Sequence, residues 1–137
     1  MRLWHYKLIP VLPKAMLVSQ WRECIAIKRQ WEKGTLKHRL VSYVMNYDGE
    51  YFINYCYAVL REMLNRGIKF QDKYMIEIGQ FCQNADIKIP DCIHYPEHYD
   101  RYLKQCYYNL QEKYDRGIIS ESEWKVIYDS FGWYLEE

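Results

Sequence analysis

Apolar residues at Leu17, Trp21, Cys24 and Ile25 fall at three- and four-residue steps, the signature of one inward helical face, and Trp31 extends it. Pro13 is a good first-turn residue and Gly34 a good stop, so a helix is expected from about Pro13 to Lys33. Residues 1–13 hold Pro10 and Pro13 with little periodicity and read as an extended arm leading into it. After the basic loop "GTLKHR", the run "LVSYVMNY" is β-prone but has no hairpin partner, which leaves a connector or short helix. A second helix is predicted over Glu50 to Arg66, with Phe52, Cys56, Val59, Leu60, Met63 and Leu64 inward and Gly67 closing it. Residues 71–83 suggest a shorter helix, and a Pro-containing loop (Ile87 to Tyr95) leads on from it. A long helix is then expected from Pro96 to Gly117, burying Tyr99, Leu103, Cys106 and Leu110. Ser120 and Glu123 form the S-x-x-E pattern of a capping box for a last helix through "WKVIYDSFGWYLEE". "LREMLNRGI" recurs as "LQEKYDRGI", which reads as shared stop chemistry at two helix ends. The pattern predicts an all-α fold: one compact domain over residues 1–137, with four to five helices and an extended N-terminal arm.

A chain of 137 residues is long enough to bury a substantial core. Its net charge of +1 hides an asymmetry. Residues 1–45 carry nine Lys/Arg against two acids, Glu23 and Glu32, whereas the remainder carries ten against sixteen. A basic first third suits a polyanion such as nucleic acid, with the acidic remainder expected to be turned away from it. The five cysteines include no C-x-x-C pair. Cys24, Cys56 and Cys106 fall on apolar helical positions and read as small core residues of a reducing compartment. With no signal-like apolar core in "MRLWHYKLIP" and no run of transmembrane length, the expectation is a soluble cytoplasmic monomer with no membrane partner.

Candidate chemistry has to be weighed against plain structural roles. "HYPEH" at 94–98 matches an H-x-x-E-H zinc pattern, but Pro96 should start a helix and leave His94 outside it, so no metal is expected. The fifteen tyrosines and five tryptophans could stack on bases, yet most sit at core spacing; Trp133 and Tyr134 are the better exposed candidates. His5 and His38 could each meet a phosphate or a base, or serve as hydrogen-bonded structural residues. On the first helix Arg22, Ala26, Arg29 and Lys33 line one stripe, with Glu23 one position round. A solvated charged face, with Glu23 in a surface ion pair, explains this as well as a phosphate track does.

"MRLWH", "LIPVLP", "QWREC" and "KHRLVSYV", in this order, resemble the endonuclease V type of pyrimidine-dimer DNA glycosylase/AP lyase, in particular its bacterial branch. The likeness is strong over residues 1–45 and weak after about 118. The resemblance implies an all-α domain whose arm threads among its helices, acting on damaged double-stranded DNA without a cofactor. The family's nucleophile, the α-amino group of the first residue, would fall on Met1, since Arg2 is too large for efficient methionine removal. Its catalytic glutamate would fall on Glu23, and its DNA-gripping arginines match Arg2 and Arg22. A further family arginine is Ala26 here, with Arg29 one turn on to cover it. Lys33, Lys37, His38 and Arg39 complete the expected DNA contacts. The aromatic, basic tail of the family is "FGWYLEE" here, ending in two acids, which bears on lesion preference.

The implied chemistry suits these groups. An α-amino group ordinarily titrates near 8, roughly two units below a lysine, so more of it is unprotonated at neutral pH. Such an amine can attack C1′ of a damaged nucleotide, and a carboxylate can stabilise charge on the sugar and move protons. Two other readings stand beside this one: a glycosylase/lyase for oxidised or ring-opened bases, and a non-catalytic helical DNA-binding module.

Overall fold

The computed structural model describes residues 1–81 and 94–136. Helix α1 is Lys14–Lys33, α2 Gly49–Asn65, α3 Asp72–Gly79, α4 Asp100–Asp115, α5 Glu121–Ile127 and α6 Trp133–Leu135. No strand occurs among the described residues. The β-prone run becomes a 3₁₀ turn, Ser42–Asn46, that buries Val44.

α1 and α2 pack on each other, with the Trp31 ring against Phe52 at 6.0 Å and Cys24 beside Cys56, and Leu17, Ile27 and Val59 are fully buried in the same core. Burying such a side chain fully is worth about 1.5–3 kcal/mol for the larger ones. The recurring R-G-I stop has a physical cause. Gly67 and Gly117 take φ of 68° and 77°, where a Cβ is penalised. The following Ile68 and Ile118 amides then donate back to Met63 O and Lys113 O, both at 2.9 Å. Gly34, with φ of 70° and Thr35 N donating to Gln30 O at 2.9 Å, closes α1 likewise, so three of the helices end in the same left-handed closure.

Several expectations are corrected. The arm is extended only at its start, because Tyr6–Val11 winds into a 3₁₀ helix capped by His5, whose Nδ1 accepts from Lys7 N at 3.1 Å. Leu64, expected inward, is 55% exposed at the solvent edge of α2. Tyr99 is likewise 52% exposed, because α4 starts at Asp100 and not at Pro96. Pro96 sits in a turn closed by His98 N to Tyr95 O at 2.9 Å, and the extended Tyr99 resets the chain direction before the helix. The last helix keeps its capping box, Ser120 with Glu123, but Tyr128–Gly132 widens into a π-helical turn. Gly132 fits there because a Cβ would stand 2.4 Å from Cδ2 of Tyr128.

Cys24, Cys56 and Cys106 are buried free thiols, as their spacing predicts. Cys82, Cys92, the end of the expected 71–83 helix and most of the Ile87 to Tyr95 loop lie outside the described residues. No helix among the described residues is long and apolar enough to cross a membrane.

Candidate active site

The arm is held from both ends. Leu3, Leu8, Ile9 and Leu12 are buried in the common core, and Trp4 nearly so. Three consecutive carbonyls near the start are each met by a side chain from a different helix. Gln20 Nε2 of α1 donates to Arg2 O at 2.9 Å, and Tyr102 Oη of α4 donates to Leu3 O at 2.5 Å. Tyr55 Oη of α2 donates to Trp4 O at 2.6 Å. Further along, Arg66 donates to Leu12 O at 2.7 Å and Pro10 O at 3.0 Å while pairing with Glu62 at 2.9 Å. Free chain ends usually fray, and this one is tied down to its second residue.

The anchoring delivers Met1 to a cleft of about 290 Å³. Met1, Arg2, Trp4 and Glu23 line one side, and Asn109, Glu112, Lys113, Arg116 and Ile118 the other. Met1 is 37% exposed, which leaves the first residue open to the cleft. Glu23 is half-buried, and its Oε2 accepts from Gln20 Nε2 at 3.1 Å. Among the described residues Glu23 makes no ion pair, so the surface-pair explanation for its position beside Arg22 does not hold. Lys113 of α4 and Arg116 just after it bring positive charge to the cleft, although Arg116 pairs with Glu112 there at 2.9 Å, so the C-terminal part of the chain is not simply turned away from the basic arm. A neighbouring groove of about 520 Å³ shares Arg2, Asn109 and Glu112 and adds Arg101, Lys104, Tyr43 and Tyr108. The Arg2 guanidinium lies 5.2 Å from the Trp4 ring centre, a cation–π contact that aims it along this side.

The stripe expected on α1 divides. Arg22 and Arg29 line a different groove, with Lys69, Phe70 and Tyr74, about 100° round the helix from Glu23. Arg29 is bound in a fork by Glu77, Nε to Oε2 and Nη2 to Oε1 both at 2.8 Å, which holds the Glu77 carboxyl below its usual range. Lys28 bridges Glu32 and Glu77 beside it. Lys33, Lys37, His38 and Arg39 are exposed, and His38 Nδ1 accepts from Leu40 N at 3.3 Å. Trp133 is 68% exposed and Tyr134 half-buried.

The histidines take structural positions. His98 Nδ1 accepts from Tyr6 N at 3.2 Å, so its proton sits on Nε2, facing Tyr43 Oη at 2.8 Å. His5 stacks on His98 with centroids 5.4 Å apart, and His94 stacks on Tyr6 at 3.5 Å. Burial lowers His5 to about 4, with Lys7 adding to the effect against a bond to the His98 backbone. Burial, then the neighbouring His5 and His94, lowers His98 to about 3. Among the described residues no three His, Cys, Asp or Glu side chains converge as a metal site.

Sequence reasoning missed Gln20, Tyr55, Tyr102, Lys113 and Arg116. Gln20 left a signal: it is a polar residue between Leu17 and Cys24 on the apolar face of α1, and it is 1% exposed. A polar group on a buried face needs partners, and here the arm supplies them. The tyrosines gave none, because their spacing is that of ordinary core aromatics.

The all-α fold thus gathers Met1, Glu23 and the cations Arg2, Lys113 and Arg116 around one cleft. The family model described as pyrimidine dimer DNA glycosylase matches residues 1–75, over half of the chain, and the protein belongs to that family. It is a DNA repair glycosylase, and its substrate is DNA. The matched stretch holds the arm, α1, α2 and the start of α3, and with them Met1, Arg2, Gln20, Arg22 and Glu23. No curated protein and no solved structure matches the chain.

Proposed function

We propose that the protein cleaves a glycosidic bond at pyrimidine dimers in double-stranded DNA and then nicks the strand as an AP lyase, with the Met1 amine as nucleophile and Glu23 as the carboxylate. The observation that carries this reading is that Met1 and Glu23, twenty-two residues apart, line one cleft edged by Arg2, Lys113 and Arg116. The amine lone pair forms a bond to C1′ as the glycosidic bond breaks and the base leaves with the bonding pair. Opening of the sugar ring at C1′–O4′ then gives an imine. That imine acidifies C2′–H, Glu23 takes the proton, and the 3′ C–O bond breaks to leave the phosphate. Glu23 also stabilises the positive charge that develops on the sugar.

Grip on the duplex falls to the cations. Arg2, Lys113 and Arg116 sit at the reacting nucleotide, and Arg22, Lys33, Lys37, His38 and Arg39 reach phosphates further along. Arg29 contributes less than its charge suggests, because Glu77 holds it in a two-bond fork, and Arg116 must likewise exchange Glu112 for a phosphate. Reaching C1′ means unstacking the damaged nucleotide at a cost of a few kcal/mol, lowest at a lesion, and these contacts offset it.

Borohydride trapping tests the reading. The purified protein, incubated in EDTA with a dimer-containing duplex, should give a covalent adduct that maps to residue 1, together with a nicked strand. Mapping to Lys7 or Lys14, or nicking at an undiminished rate by a protein with an uncleaved N-terminal tag, would remove the amine from the mechanism. An oxidised-base duplex run in parallel should give little adduct; a stronger signal there than on the dimer would change the lesion.

A further inference from the structure

We propose that Gln20 is a positioning residue that couples the N-terminal arm to the Glu23 carboxylate, so that nucleophile and acid are held in one register by a single amide. This rests on the reading of Met1 and Glu23 given above. A primary amide has two acceptor and two donor positions; here both donors and one acceptor have a partner of their own, and the second acceptor shares the Tyr55 hydroxyl with Trp4 O. Oε1 accepts from Trp4 N at 2.9 Å and lies 3.1 Å from Tyr55 Oη, whose one proton points mainly to Trp4 O at 2.6 Å. Nε2 donates to Arg2 O at 2.9 Å and to Glu23 Oε2 at 3.1 Å. The reversed amide would set its oxygen against a carbonyl and a carboxylate, so the network admits one orientation only.

Gln20 thus binds the backbone on both sides of Leu3, as a neighbouring β-strand would, and fixes which residue of the arm lies opposite Glu23. Its hold on Glu23 Oε2 leaves Oε1 as the oxygen to face the sugar. At 1% exposure the amide is shielded from water, so its bonds do not exchange with solvent. A side chain that only anchored the arm would need no bond to the glutamate, and one that only oriented the glutamate would need none to Trp4 or Arg2. Misplacing a reacting group by about 1 Å costs on the order of 100-fold in rate, which sets the scale of the effect.

The test uses Gln20→Met, which keeps length and loses every amide bond, and Gln20→Glu, which keeps the acceptors but loses both donors. Single-turnover cleavage of an abasic-site duplex should fall about 10- to 100-fold in each, with the DNA Kd within about twofold of the parent. A cycle with Glu23→Gln separates coupling from plain loosening: Gln20→Met should add little to the loss already caused by Glu23→Gln, whereas independent effects would multiply. Hydrogen exchange supplies a readout free of activity, since the Trp4 amide should be slow in the parent and fast in Gln20→Met. Parent-like rates in a folded Gln20→Met protein, multiplicative losses, or a Trp4 amide equally slow in both would each overturn the coupling. If instead the parent itself forms no adduct at residue 1, the amine mechanism has failed; the Trp4 exchange and the Gln20→Glu rate still judge the role of Gln20.

Discussion

At the residue scale, Glu23 takes its meaning from its neighbours. It lies next to Arg22 in the chain, yet the two side chains leave α1 about 100° apart and face different grooves. Its hydrogen bond comes from Gln20, and its cleft is shared with Met1. Glu23→Gln keeps size and removes charge, so helical content and DNA affinity should stay near the parent values. Cleavage of dimer-containing DNA should fall by about 10²- to 10⁴-fold, the usual weight of a positioned acid–base group. A gel-based single-turnover assay decides it, and parent-like turnover would return Glu23 to the surface. The sequence marked Glu23 and Met1 only through the family resemblance. Nothing local distinguishes that glutamate from a solvated one.

At the element scale, α1 is a partition with a different task on each side. One face carries Gln20 and Glu23 to the arm and cleft, and the other carries Arg22 and the Arg29–Glu77 fork. Arg22→Ala should reduce the log–log salt slope of DNA affinity by about 0.9, the share of one phosphate. Arg29→Ala should change it less, and Glu77→Gln should steepen it by freeing Arg29; an unchanged slope for Arg22→Ala together with a full loss for Arg29→Ala would reverse the assignment. At the other end of the chain, the capping box predicts that Ser120→Ala costs about 1 kcal/mol in chemical denaturation. Caps and stops were legible from residue types: Pro13, Gly34, Ser120 and the two R-G-I ends fall where the helices begin or close. The start of α4 was not, because a proline opens a turn as readily as a helix.

At the scale of the whole molecule, the arm is a buried strap, with one imidazole, His5, built into it and a second, His98, packed against it. His98 receives Tyr6 N–H and His5 receives Lys7 N–H, each through an unprotonated Nδ1. Protonating either ring removes that acceptor and places charge in a buried site; at His5, Lys7 and His94 also oppose it while a bond to the His98 backbone and Asp100 favour it, and at His98 the other two histidines oppose it. Both rings titrate below the usual 6.5 when folded. Above that pH both states are neutral and the full stability is present. As pH falls below 6.5 the unfolded chain takes up protons that the folded one refuses, so stability declines towards about 4 for His5 and 3 for His98. Denaturant midpoints measured from pH 7 down to 4.5 should drop, and His98→Gln should flatten that decline while lowering the value at pH 7. A parallel decline in parent and variant would move the acid sensitivity elsewhere.

The sequence by itself determined the helices, because apolar periodicity and end signals act over a few residues and are written where they act. It also determined the basic character of the first third and, through resemblance, the family. Only the tertiary structure decided which charges share a cleft. Lys113 and Arg116 reach Met1 because α4 packs across the arm, and Arg29 loses its freedom to a glutamate forty-eight residues away. The hydrogen-bond clamp of Gln20, Tyr55 and Tyr102 joins α1, α2 and α4 to three successive carbonyls of residues 2–4. Backbone carbonyls are the same at every position, so no residue type in the sequence announces which side chain will meet them.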